Sequence, residues 1–271
     1  HLSQGHEHRN LHVLRYGMPN STLHRVNKTI LVAPYEGPLA AALVSEARAA
    51  GWTVAVAMSG GAMSGGAVAG GPGGVDTAAA AGVDDETLSG VTVFPLTPGS
   101  FVSSTTLFMS VRNALGDPDV VAIVPCSPGA GGGAAGATGA AAGGVDLVGG
   151  GPGEAESAIQ RGTLGPAMLV REALRCFGSK KAGRLVLLGA ETEGETLGPA
   201  ASLVAGAFRG LGDGVFVASR EAPWEAFGIL DKGDNPVETA RFVLRLLEDG
   251  RGGKSGRWLR FTGKPGLFGV F

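Results

Sequence analysis

The chain has 271 residues and an almost balanced charge, with 22 basic and 24 acidic side chains, and 48 of its residues are glycine. This glycine content is more than twice the usual share of about 7%, while 44% apolar residues are enough to form a hydrophobic core. A near-neutral chain lacks the basic surface that nucleic acids and anionic membranes attract, so we expect neither as a partner.

All five histidines lie within the first 24 residues. Histidine-dependent catalytic triads and histidine-rich zinc sites are therefore excluded from the rest of the chain, and we expect no metal. Cys126 and Cys176 have no CxxC spacing, which favours a reducing compartment such as the cytoplasm or an organelle matrix. The two long uncharged stretches are rich in glycine and alanine, so we expect no membrane-spanning segment.

The first predicted element is a buried strand at residues 29–33, which follows an irregular N-terminal extension over residues 1–27. A helix with apolar residues at helical spacing comes next, and Gly51 stands where its C-cap belongs. Residues 52–57 predict a second strand. These elements form a strand–helix–strand unit, for which a parallel pair with a right-handed crossover is expected.

The alternation of strands and helices continues along the chain. The predicted elements are a strand at 91–94, a helix at 103–115, a strand at 120–125, a long helix from Glu154 to Phe177, strands at 184–188 and 215–218, a helix that Asn235 caps and Gly250 ends, and a strand at 258–261. Two glycine–alanine segments, 60–74 and 129–151, are predicted loops. This alternation indicates an α/β fold, and we predict one Rossmann-like domain with a doubly wound parallel sheet over residues 28–271.

Three segments of the C-terminal half carry a family likeness. Residues 181–188 (KAGRLVLL) combine a basic loop, Gly-Arg and an apolar strand. Residues 235–247 have the pattern of a capped amphipathic helix. Residues 255–263 (SGRWLRFTG) have the pattern of a strand with a glycine before it and a glycine after it. They resemble the fifth strand, the penultimate helix and the closing strand of the short-chain dehydrogenases/reductases (SDR family). The resemblance implies a crevice at the carboxyl ends of the strands in which NAD or NADP binds.

The first strand–helix turn departs from the nucleotide-binding pattern of that family. The family has three glycines there, whereas residues 33–39 (APYEGPL) retain only Gly37. By position, Tyr35, Glu36 and Gly37 would contact a nucleotide, together with Gly129 after the fourth strand. Two prolines lack the amide N–H groups that bind phosphate, and Glu36 adds negative charge. We therefore expect no cofactor, with NAD or NADP as the alternative.

The catalytic residues of the family have no counterparts in the matching positions. That family uses a tyrosine and a lysine as proton donor and electrostatic partner, assisted by a serine and an asparagine. The matching positions fall near Ala190 for serine, Gly162 for asparagine, and Leu197 and Ala201 for tyrosine and lysine. Tyr16 and Tyr35 are the two tyrosines of the chain, and no lysine lies between residues 181 and 232. We therefore predict no catalytic residues.

These departures favour a catalytically silent SDR-like protein that acts as a structural or regulatory subunit, with a protein partner or as a homo-oligomer. The resemblance places its contacts on the helix from Glu154 to Phe177 and on the segment after Leu197. One alternative is an active NAD(P)-dependent oxidoreductase with an atypical proton donor, for which Glu191, Thr192 and Glu193 are the nearest polar candidates. A weaker alternative is a small-ligand binder or a lyase that uses the emptied cofactor crevice.

Overall fold

The computed structural model describes residues 28–59, 88–125, 152–190, 198–232, 235–249 and 256–263. The strands are β1 (Thr29–Ala33), β2 (Thr53–Ser59), β3 (Thr92–Leu96), β4 (Val120–Ile123), β5 (Arg184–Ala190), β6 (Glu225–Asp231) and β7 (Trp258–Phe261). They form one sheet in the order β3-β2-β1-β4-β5-β6-β7, and all neighbouring pairs are parallel. The strand order reverses between β1 and β4.

Helices cover both faces of the sheet. They are α1 (Gly37–Ala49), α2 (Phe101–Leu115), α3 (Pro152–Ile159), α4 (Gly165–Lys180), α5 (Pro199–Ser219) and α6 (Pro236–Glu248). A π-helical turn (Gln160–Leu164) joins α3 to α4 without a break. One core cluster contains residues of α1 and α6, and the other contains residues of α2, α4 and α5. This arrangement confirms the predicted Rossmann-like α/β fold.

The central strands explain why both faces carry a core. All residues of β1 and β4 are buried. Ile30 and Val32 of β1 point into the cluster with α1 and α6, whereas Leu31 and Ala33 point into the cluster with α2, α4 and α5. An unbroken apolar run is what a parallel strand covered by helices on both sides requires.

One predicted strand is wrong. Residues 215–218 form the last turns of α5, where Val215 and Phe216 are buried and Val217 is exposed. An apolar run of four residues cannot be distinguished from part of a buried helix by periodicity alone. Strand β6 was not predicted from the sequence, because its apolar residues are interrupted by Gly228 and bounded by acidic residues at both ends.

The predicted helix from Glu154 to Phe177 is observed as α3, the π turn and α4. Two glycines let other segments approach this turn closely. A Cβ on Gly162 would lie 2.5 Å from Cγ1 of Val204 on α5, and a Cβ on Gly99 would lie 3.0 Å from the carbonyl oxygen of Gln160. Gly99 also has a φ of +78°, which favours glycine. The turn is thus held between α5 and the loop that precedes α2.

The local end signals of two helices are confirmed. Oδ1 of Asn235 accepts hydrogen bonds from the N–H groups of Val237 (3.2 Å) and Glu238 (3.3 Å) at the start of α6. Gly51 follows α1 with a φ of +79°. β1 and β7 have the predicted bounds, and the bounds of the other predicted elements shift by at most three residues. The predicted extension over 1–27 and the loops 60–74 and 129–151 lie outside the described residues.

Helix α5 has an unusually apolar composition. Among the described helices, it is the one that is long and apolar enough to cross a membrane by length and composition, and 39% of its most apolar stretch is buried. Its buried residues include Val204 and Phe208, and Phe208 packs in the core with α2 and α4. Its opposite face exposes Leu203 and Val217, which are 50% and 61% exposed.

Candidate functional site

The turn between β1 and α1 lies at the carboxyl edge of the sheet, beside the reversal of strand order. β1 pairs with β2 on one side and with β4 on the other, so the residues after Ala33 stand near the centre of this edge. Ligands of open α/β sheets bind in the crevice at such a point. The turn is therefore the candidate site, and its atoms decide what it can hold.

The amide groups of the turn are mostly engaged or missing. The N–H of Tyr35 donates to a carbonyl oxygen of β2 (2.6 Å), and the N–H of Glu36 donates to the carbonyl oxygen of Pro34 (3.2 Å). Pro34 and Pro38 have no N–H group. The N–H groups of Gly37 and Leu39, both in the first turn of α1, are consequently the amides of this turn that could face a phosphate.

A carboxylate stands at the start of α1. Glu36 directly precedes this helix, and its Oε1 accepts a hydrogen bond from the hydroxyl of Ser59, the last residue of β2. The N-terminus of a helix carries a partial positive charge that favours an anion. The carboxylate of Glu36, which is bonded to Ser59, already supplies a negative charge beside the N-terminus of α1. A bound phosphate would meet that charge.

Tyr35 belongs to the hydrophobic core. Its side chain is 6% exposed and packs in the cluster with α1 and α6. Its hydroxyl has no hydrogen-bond partner among the described residues, and burial raises the pKa of Tyr35 above its usual value. A phenol with a raised pKa stays protonated at neutral pH and is a weaker acid than an exposed tyrosine.

The turn therefore does not fit the pyrophosphate of a dinucleotide. Close approach of the backbone and several free N–H groups are needed for such binding. Here two prolines remove donors, two amides are engaged elsewhere, and Glu36 adds like charge. Gly37 has a φ of +78°, so this glycine shapes the entry into α1. Gly129, the fourth predicted contact, lies outside the described residues, and its role stays a prediction.

A small cleft among the described residues lies on the α2 and α4 side of the same edge. It has no room for a water molecule. Its lining residues are Pro34, Leu96, Pro98, Ser104, Arg161, Gly165, Pro166 and Leu169. The lining is mostly apolar, and the Nε–H of Arg161 donates to the carbonyl oxygen of Ser157 (3.3 Å).

The positions that the resemblance assigned to the family's catalytic residues are placed as follows. Ala190 is the exposed last residue of β5, Gly162 is buried in the π turn, and Ala201 is buried in α5. None of these three side chains can transfer a proton. Leu197 and the polar candidates at 191–193 lie outside the described residues. The described residues also contain no group of three or more His, Cys, Asp or Glu side chains that could hold a metal ion.

Two polar residues at this edge were not singled out from the sequence. Ser59 binds Glu36, which is 23 positions away, and no local pattern indicates this contact. Asp231 is the buried last residue of β6, and it was missed because that strand was missed. Recognition of β6 as a strand would have placed Asp231 at the carboxyl edge.

The thiol of Cys176 lies away from this edge, on α4 next to the loop before β4. Its Sγ donates to Oδ1 of Asp117 at 3.7 Å. Burial, followed by the negative charge of Asp117, raises the pKa of Cys176 to about 11. The thiol therefore stays protonated at neutral pH, and an unreactive cysteine is expected.

Comparison with solved structures identifies the fold. A metagenomic short-chain oxidoreductase in complex with NADP superposes with a TM-score of 0.62 at 15% sequence identity, covering 88% of this chain and 98% of that one. The chain has the fold of the short-chain dehydrogenases/reductases. Sorbitol-6-phosphate 2-dehydrogenase from Erwinia amylovora gives a TM-score of 0.59 at 15% identity, with 89% and 100% of the two chains covered. No protein-family model matches the sequence, and no curated protein is similar to it.

Proposed function

We propose that this chain is a catalytically silent protein with the SDR fold, which acts as a structural or regulatory subunit of a larger assembly. The observation that carries the proposal is the β1–α1 turn. Glu36 lies between Pro34 and Pro38 in this turn, and its carboxylate accepts a hydrogen bond from the hydroxyl of Ser59. A turn of this kind connects strand and helix but lacks the donors for a pyrophosphate.

The expected cost to nucleotide binding can be estimated from charge alone. Two unit charges 4 Å apart repel by about 1 kcal/mol in water and by about 4 kcal/mol at a protein surface. This repulsion weakens binding by roughly fivefold to a thousandfold, before the missing amide donors are considered. NAD or NADP binding at cellular concentrations is therefore not expected at this turn.

A subunit role also requires a surface for a partner. The helices that the family resemblance indicates, α3 with α4 and α5, expose apolar side chains. Leu164 is 44% exposed, Leu203 is 50% exposed and Val217 is 61% exposed. Large apolar side chains grouped on one side of a protein are typical of interaction surfaces. We call the outer side of α3, the π turn, α4 and α5 the association face.

The second candidate is an active NAD(P)-dependent oxidoreductase with an atypical proton donor. It is favoured by the similarity of the fold to a structure that holds NADP. Its donor would come from the polar residues 191–193 that follow β5. This candidate requires a nucleotide to bind despite Glu36, so cofactor binding separates the two functions.

Thermal unfolding with nicotinamide cofactors tests the proposal. A ligand that binds only the folded chain stabilises it, by about 2.7 kcal/mol when its concentration is 100 times the Kd. We expect the melting temperature to stay unchanged with NADH or NADPH in large excess. Glu36→Gln provides the matched variant, because it removes the charge and keeps the shape. A saturable rise for the natural chain would overturn the proposal and favour the oxidoreductase.

A further inference from the structure

We propose that the outer side of α2, with the neighbouring edge of α4, binds an acidic amphipathic helix of a partner protein. We call this surface the α2–α4 groove, and it consists of Phe101, Val102, Met109, Arg171 and Arg175. It adjoins the association face along α4 and uses none of the residues of the β1–α1 turn. The inference therefore goes beyond the proposed function and does not depend on it.

The outer side of α2 exposes three large apolar side chains. Phe101, Val102 and Met109 are 47%, 70% and 60% exposed. Leu107 and Val111 of the same helix are buried in the core, so the exposed residues lie on its opposite side. Val102 and Met109 are seven residues apart and share one stripe, about 10 Å long at a rise of 1.5 Å per residue. Apolar side chains grouped in this way are typical of interaction surfaces.

Helix α4 lies beside α2 and forms the second side of the groove. Near the start of both helices, a Cβ on Gly165 would lie 3.4 Å from the backbone nitrogen of Gly99. Further along, Cζ of Arg171 lies 4.6 Å from the centre of the Phe101 ring, in a cation–π contact. The axes of packed helices are about 8–10 Å apart, so the groove between them has room for one row of side chains from a third helix.

The charge on the two helices is one-sided. Helices α2 and α4 together contain four basic side chains and one acid, although the whole chain has 22 basic and 24 acidic side chains. The acid, Glu172, is buried. Arg112 and Lys180 form ion pairs with aspartates of the loop between α2 and β4. The remaining positive charge belongs to Arg171 and Arg175.

Arg171 and Arg175 share the single carboxylate of Glu172. Nη1 of Arg171 donates to this carboxylate, and Nη1 of Arg175 lies 3.8 Å from it. The two arginine side chains are 53% and 70% exposed, whereas the side chain of Glu172 is 5% exposed. A guanidinium has five N–H groups, so each arginine can also bind a carboxylate from outside. The groove therefore presents positive charge beside apolar side chains.

The spacing of these residues fits an acidic helix. Arg171 and Arg175 are one turn apart, about 6 Å, which matches glutamates at i and i+4 of a partner helix. Val102 and Met109 are two turns apart, which matches leucines at i and i+7. Interfaces between proteins are enriched in aromatic residues, methionine and arginine. An amphipathic helix that lies in an apolar groove is a recurring mode of recognition.

The size and the charge of the groove favour a helix over a lipid surface. Anionic lipid surfaces attract clusters of about four to eight basic residues, more than the groove contains. Helix α2 is roughly 22 Å long, so a helix along it would bury on the order of 800 Å² in total. Interfaces below about 1,200 Å² are typical of transient complexes. We therefore expect a Kd in the micromolar range.

Fluorescence polarisation with the full chain tests the proposal. The probe is a fluorescein-labelled helical peptide of about 16 residues, with leucines on one stripe and glutamates at i, i+4 spacing beside it. We expect saturable binding with a Kd on the order of 10 μM at low salt, and at least about tenfold weaker binding at high salt. The same peptide with lysines in place of the glutamates is the matched control probe and should bind at least about tenfold more weakly.

Two variants locate the binding surface. Met109→Glu should weaken binding of the glutamate peptide at least about tenfold, because it replaces an apolar contact by a like charge. Val237→Glu on α6 is the matched control, since Val237 is 40% exposed and lies outside the groove. This control should bind the peptide like the natural chain. Circular dichroism confirms that each variant is folded.

Charge reversal gives a readout that loss of stability does not produce. Arg175→Glu leaves Arg171 to pair with Glu172 and should lower the preference for the glutamate peptide over the lysine peptide at least about tenfold. Arg209→Glu, at an exposed position of α5, is the matched control. It should keep the natural ratio of the two affinities to within about threefold.

Three results would overturn the inference: no saturable binding of the glutamate peptide up to about 1 mM, equal affinity for the two peptides, or a Kd that Met109→Glu and Arg175→Glu leave unchanged. Co-sedimentation with vesicles that contain phosphatidylserine, without peptide binding, would also overturn it and assign the groove to a lipid surface. None of these results affects cofactor binding, so failure here is distinguishable from failure of the silent-subunit proposal.

Discussion

The glycines on the two sides of α5 have opposite surroundings. On the inner side, a Cβ added to Gly212 would lie 2.4 Å from Cζ2 of Trp258, so the core requires the absence of a side chain there. On the outer side, Gly206, Gly210 and Gly214 have open space around them. Packing against Trp258 explains the inner glycine, whereas the outer three have no close neighbour among the described residues. A high glycine content therefore does not by itself indicate flexible loops or nucleotide binding.

The largest expected effect on stability concerns Gly228, against which the ring of Trp258 packs. A Cβ on Gly228 of β6 would lie 2.0 Å from Cε3 of the Trp258 ring, which would be displaced. The ring also contacts Phe216, and its Nε1 donates to Oδ1 of Asp213 (3.0 Å). We expect Gly228→Ala to lower the free energy of unfolding by about 3 kcal/mol, the upper end for overpacking. Urea unfolding measures it, and a loss under about 1 kcal/mol would show that the contact is not tight.

A matched pair on α5 compares its two sides directly. We expect Gly212→Ala to destabilise the fold by about 1–2 kcal/mol, because overpacking against Trp258 exceeds the gain in helix propensity. Gly210→Ala, two residues earlier, should stabilise the monomer by up to about 1 kcal/mol. The same urea titrations measure both changes in the free energy of unfolding. Equal changes in the free energy of unfolding for the two variants would refute the difference between the two sides of α5.

A smaller effect is expected at a helix end that belongs to neither side of α5. Asn235→Ala removes the acceptor of two N–H groups at the start of α6 and should cost about 1 kcal/mol. Asn235→Asp keeps an oxygen acceptor and should be nearly neutral. If both variants unfold at the same urea concentration, the cap does not contribute as described.

The smallest effect on stability concerns Cys176 on α4. In a Cys126→Ser background, alkylation of the folded chain by iodoacetamide should rise by about tenfold per pH unit up to pH 10, because the pKa of Cys176 is raised to about 11. Since the pKa is higher in the folded state, stability from the protonated thiol is present at neutral pH and decreases above pH 9. An alkylation rate that is half-maximal near pH 8.5 and levels off above it, as for an exposed thiol, would contradict the burial of this group.

Local signals predicted most of the fold, and contacts between distant residues account for the failures. Asn235 and Pro236 identify the start of α6 because a cap acts within one helical turn. The run at 215–218 is ambiguous until its packing against the sheet is known. The site was predicted in part: the prolines and Glu36 are visible in the sequence, whereas the bond to Ser59 depends on the pairing of β1 with β2.

We expect the turn between β1 and α1 not to hold a dinucleotide. Equilibrium dialysis of the natural chain against NADPH and against NADH measures this most directly, with Glu36→Gln dialysed in parallel. We expect no saturable binding of either cofactor below about 1 mM, because a fixed carboxylate and two prolines replace phosphate donors. One mole of cofactor bound per mole of chain with a micromolar Kd would contradict it.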